Sequence, residues 1–263
     1  MRNYTAACAL ALVLGCALGC GGGTRAQKPP RPSEPPEAEA YVNLYRLAVL
    51  RFQEGKLDEA SYNYRQALEQ FPAHAESHYG LGLCHLSQGE YKEALESFEL
   101  ALHHRPDYDE VYISMGIVHS ELGEREKAEE VLHKALDSPS MQITGLANYH
   151  LGLLQLEADE YERAYYSFRK ALSDYPDAVL VHAKMAEALE RMGRNEEALE
   201  YYLEALEGEP GSAEYTYKVA LVHFRLNHRA EALEYFRKTL IMAPNSEYGE
   251  RAFEFLKMLG ERE

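Results

Sequence analysis

Between Ala75 and Tyr108 the apolar and small residues recur at the spacing of a helix face, and they do so twice. Leu81, Gly82, His85 and Leu86 share one face of a first predicted helix. Ala94, Phe98, Ala101 and Leu102 share one face of a second. Gly89 falls between them, where the chain needs a left-handed residue to leave one helix and enter the next. His103, His104 and Arg105 put polar or cationic groups at the second helix's carbonyl end, and Pro106 stops it. A lone helix pair cannot bury both apolar faces, so this pattern predicts copies of itself on either side.

The copies are there. Six units run 41–74, 75–108, 109–142, 145–178, 179–212 and 213–246, spaced by 34 residues apart from an insertion, Ile143 and Thr144. Ala60, Ala94, Ala128, Ala164, Ala198 and Ala232 mark where the two helices of each unit cross closely. Beside them stand the large residues Tyr64, Phe98, Leu132, Phe168, Tyr202 and Phe236. Small residues (Ala48, Gly82, Gly116, Gly152, Ala186, Ala220) recur in the first helix. The turns hold Gly55, Gly89, Gly123, Asp159, Gly193 and Asn227, all types that tolerate a left-handed backbone. Five units close on a proline at the same place, and the third has Pro139 one place early. A further apolar helix, after the six pairs, is expected within 247–263 to cap the exposed end. The fold class is therefore all-α, six helix pairs plus a C-terminal capping helix.

This pattern resembles the tetratricopeptide repeat (TPR) over about four-fifths of the chain. The resemblance implies a right-handed superhelix with first helices lining a concave groove, to which positions 2, 5, 9 and 12 of each unit contribute. Position 5 reads Tyr45, Tyr79, Ile113, Tyr149, Ala183, Tyr217; position 9 reads Val49, Leu83, Ile117, Leu153, Glu187, Leu221. Position 12 adds Phe52, Leu86, Leu156 and Phe224. The groove is expected to be an apolar stripe interrupted at the fifth unit by Glu187 and Glu190. The Lys and Asn clamp with which chaperone-type members hold a C-terminal carboxylate is absent. Two accounts of the stripe stay open: curvature or a returning segment covers it, or it binds an apolar or amphipathic peptide of another protein. Acidic flanks at Glu76, Glu110 and Glu214 would favour a partner with some basic residues.

The first nineteen residues carry one charge, Arg2, and an apolar run too short to span a bilayer, and they read as a signal peptide. Leu18-Gly19-Cys20 resembles the lipobox of bacterial lipoproteins, which implies lipidation at Cys20 and a membrane anchor. Conventional cleavage after Ala17-Leu18-Gly19, giving a secreted or periplasmic soluble protein, and an uncleaved anchor remain alternatives. Residues 20–40 are rich in glycine and proline and form the expected tether.

The formal net charge of −16 makes nucleic acid an improbable partner. Of four cysteines only Cys84 lies beyond residue 20, so the repeats hold no disulfide framework, and its alanine-like position predicts a buried thiol. No nucleophile–base motif, phosphate loop or metal-ligand spacing appears, so neither enzyme activity nor a cofactor or metal is expected. His78, His182, His85, His119 and His223 take the places of structural aromatics. Repeat number and the insertion within Ala135–Leu156 resemble the six-repeat outer-membrane lipoproteins that act as pilotins in type IV pilus biogenesis. That resemblance implies a periplasm-facing scaffold assisting a secretin. The alternatives are a TPR lipoprotein of other secretion or outer-membrane assembly machinery and, more remotely, a regulatory subunit of an enzyme.

Overall fold

The computed structural model describes residues 38–260, and all its regular secondary structure is helical. The signal peptide, Cys20 and nearly all of the tether lie outside the described residues. The chain falls into two compact units, up to Ile143 and from Thr144 onward. The first contains α1 (Ala38–Gln53), α2 (Leu57–Gln70), α3 (Ala75–Gln88), α4 (Tyr91–His104), α5 (Asp109–Glu121) and α6 (Arg125–Ala135). The second contains all but the first turn of α7 (Met141–Glu157), then α8 (Tyr161–Asp174), α9 (Val179–Arg191), α10 (Asn195–Gly208), α11 (Ala213–Arg225), α12 (Arg229–Met242) and α13 (Glu247–Met258).

Two boundaries differ from the sequence reading. The first helix starts at Ala38, inside the expected tether, because Ala38-Glu39-Ala40 are strong helix formers free of the prolines before them. The insertion makes no loop: Ile143 and Thr144 lie within α7, which reaches 17 residues.

Each pair closes as the pattern requires. The crossing alanines are all fully buried, and so, to within a few per cent, are the six large residues beside them. A Cβ added to Gly82 would sit 2.5 Å from the Phe98 ring, and one on Gly152 the same distance from Phe168. Size is therefore fixed on both sides of the crossing. The six turn residues have positive φ, including the non-glycines Asp159 (60°) and Asn227 (59°). At the end of the second unit α13 packs on α11 and α12, with Phe255 stacked 4.8 Å from Phe236. Its N-terminus is capped by Ser246, whose hydroxyl accepts from Gly249 N–H at 3.1 Å. Among the described residues no helix is long and apolar enough to cross a membrane.

Candidate functional site

The positions expected to line the groove meet different fates in the two units. In the first, Phe52, Tyr79, Leu83, Leu86, Ile113 and Ile117 are buried, and only Tyr45 and Val49 are half-buried. At Tyr79 the cover is polar and aromatic. The Tyr79 hydroxyl lies 3.1 Å from Ser114 Oγ, and its ring lies 5.0 Å from that of Tyr108. The Arg105 guanidinium sits 3.2 Å above the Tyr108 ring and donates to Glu76 Oε1 at 2.7 Å. Glu76, expected as a free acidic flank, is thus neutralised from within. Tyr45 packs edge-on to His74 at 5.0 Å.

In the second unit Tyr149 and Tyr217 are buried, but Leu153, Leu156, Leu221 and Phe224 keep part of their surface in water. Leu153 and Leu156 come from α7, Leu221 and Phe224 from α11, and between these helices in sequence α9 contributes Glu187 and Glu190. Lys184 donates to Glu187 at 2.9 Å. Glu190, whose side chain is only 10% exposed, accepts from the Tyr202 hydroxyl at 2.7 Å and from Arg225. Burial opposes its ionisation, yet Lys218, Tyr202 and Arg225 together outweigh that and hold the carboxyl below its ordinary range. These positions of the second unit are apolar in α7 and α11 and ionic in α9.

The histidines carry a feature that reading missed. His85 Nδ1–H donates to Glu90 at 2.5 Å and His119 Nδ1–H to Glu124 at 2.7 Å, each bond spanning the turn between the helices of its own repeat. In the sixth repeat the same places hold His223 and His228, whose Nδ1 atoms are 3.3 Å apart. Their signature in the sequence is a His and a Glu five residues apart in consecutive repeats. These bonds act as turn clamps. Cys84 is buried and forms no disulfide among the described residues, and burial pushes its thiol up to about 11, far from a reactive thiolate. Among the described residues no group of three His, Cys, Asp or Glu side chains could hold a metal ion.

A profile of the tetratricopeptide repeat matches residues 45–109, 113–179 and 184–247, and a second profile of the same repeat matches 85–139. No curated protein sequence matches. Among solved structures, PilF of Pseudomonas aeruginosa shares the fold at a TM-score of 0.72 and 23% identity, over 82% of this chain and 97% of that one. PilW, described as a widely conserved type IV pilus biogenesis factor, gives 0.74 and 18% over 82% and 99%. The APC/C hetero-tetramer Cut9–Hcn1 gives 0.68 and 18% over 84% of this chain, which spans only 43% of that one. The repeated crossing alanines, the left-handed turns and the profile matches over most of its length agree: this chain belongs to the tetratricopeptide repeat family.

Proposed function

We propose that this protein is a non-catalytic scaffold, anchored to the cell envelope through a lipid on Cys20, that holds an apolar or amphipathic segment of another envelope protein. Tetratricopeptide proteins bind peptide partners and act as scaffolds. The observation that carries the reading to particular residues is the partial exposure of Leu153, Leu156, Leu221 and Phe224. Apolar side chains that keep part of their surface in water gain free energy when a partner covers them, and here Leu221 and Phe224 also rest on the cluster that α13 completes. The buried positions of the first unit are poorer candidates, and at Tyr79 a ligand would first have to displace the Tyr108 ring. We place the protein's work in assembly of a secretin or pilus, in keeping with the fold it shares with PilF and PilW.

The test is cross-linking and mass spectrometry on envelope extracts, comparing the wild-type chain with a Leu153→Glu, Leu221→Glu double variant. Loss of the same captured protein from the variant, with unchanged circular dichroism, is the expected result; equal capture overturns the groove reading. A secretin that assembles normally in cells lacking the chain overturns the pilus assignment. Intact mass of the mature N-terminus reports a diacylglyceryl group on Cys20 or its absence.

A further inference from the structure

Within the units, the first helices have a covered flank at positions 7 and 10 of the repeat. In α3 these are half-buried Leu81 and buried Cys84, and next to them a Cβ on Gly80 would strike the Tyr64 ring of α2 at 2.3 Å. In α11 they are Val219 and Val222, packed in one cluster with Tyr202, Ala205 and Leu206 of α10. In α1 the same positions carry Leu47 and Leu50, exposed to 37% and 47%. Two leucines thus occupy a register that later repeats use as an interface, with no preceding repeat among the described residues to meet them.

A second copy of this chain fits. Arg46 lies one turn before Leu50 in α1, and Glu54, the residue just past the helix, lies one turn beyond it, its N–H donating to the Leu50 carbonyl at 3.0 Å. An antiparallel pairing of two α1 helices about Leu50 therefore sets each Arg46 against Glu54 of the partner subunit; a parallel one would set arginine against arginine. Arg46 is exposed and makes no ion pair among the described residues. Glu54 accepts from Arg51 at 2.7 Å and Lys56 at 2.9 Å, which leaves its carboxylate with acceptor capacity to spare. We infer that this flank is a self-association surface on which two copies pair α1 antiparallel, leucines inside and two Arg46–Glu54 pairs at the rim. One helix per copy buries less than a permanent dimer needs, so the dimer forms and dissociates with concentration.

The experiment is sedimentation equilibrium on the chain from Gly21 onward, which keeps all thirteen described helices, from about 10 µM to about 1 mM. The wild type is expected to rise towards twice its monomer mass, and Leu50→Glu to remain monomeric with unchanged circular dichroism. Arg46→Glu alone sets glutamate against glutamate, and Glu54→Arg alone sets arginine against arginine, so each stays monomeric. An equimolar mixture of the two makes every rim contact complementary, and it associates at least as well as the wild type. A wild type that stays monomeric overturns the inference, including the case in which Leu50→Glu instead loses another captured protein. Association that survives Leu50→Glu, or a mixture no better than its components, overturns it equally.

Discussion

At the scale of single residues, burial decides what a side chain can do, and two substitutions read it directly. Leu83 and Leu153 occupy the same repeat position, but Leu83 is 5% exposed whereas Leu153 is half-buried. Leu83→Glu places an unpaired carboxylate in the core and is expected to cost about 3–5 kcal/mol in urea unfolding. Leu153→Glu is expected to cost under about 1 kcal/mol. Similar losses at both sites would mean that the two environments do not differ. His150 is a second case. Burial alone drives its imidazole down to about 4, and its Nε2 has no hydrogen-bond partner, so the folded chain keeps it neutral. Unfolded, it binds a proton near pH 6.5. Between about 6.5 and 4 the unfolded state therefore holds the extra proton, and stability falls as pH falls, by up to about 3 kcal/mol. His150→Leu is expected to flatten that part of the stability–pH curve; an unchanged slope would assign the acid sensitivity elsewhere.

At the scale of helices, the close contacts were legible in the sequence and the exposure of the row was not. Ala94 with Phe98, Gly82 with Phe98, and the left-handed turn at Asn227 each depend on residues within one 34-residue unit, so the pattern carried them. Whether Tyr79 or Tyr45 faces water depends on side chains that close over it, such as Tyr108 and Arg105 from the segment after α4. No periodicity encodes that. The Glu190 node is similar: an acidic residue in an apolar row was visible, but its stabilisation by Tyr202, Arg225 and Lys218 required three other positions to converge. The capping helix makes the same point through the backbone. Its Gly249 lies so near the preceding segment that a Cβ would fall 2.0 Å from the Ala243 carbonyl oxygen, an atom that cannot swing away. Gly249→Ala is expected to displace the N-terminal turn of α13 at a cost of about 1–3 kcal/mol. Amide exchange in α13 should accelerate while that of α3 and α4 stays as in the wild type; an α13 as protected as before would show that the segment yields without loss.

At the scale of the whole chain, the repeat makes stability a local quantity. Each helix pair draws its core from its own crossing residues and from immediate neighbours, so the free energy approximates a sum of repeat and nearest-neighbour contributions. A defect should then weaken its surroundings and fade with distance in sequence, unlike a defect in a domain with one shared core. Phe168 is the sharpest place to test this, since it is fully buried between α7 and α8 and nothing smaller fills the space beside Gly152. Phe168→Ala is expected to cost about 3–5 kcal/mol locally. Native-state amide exchange would then quicken by on the order of a hundredfold or more in α7 and α8. The amides of α2, α3 and α4, which belong to the other compact unit, are expected to change by less than about tenfold under the same conditions. Equal acceleration throughout would mean that the two units open together, and the additive picture of this chain would fail. A graded loss would mean that a partner bound to the second unit can stiffen or loosen it without the first unit having to unfold.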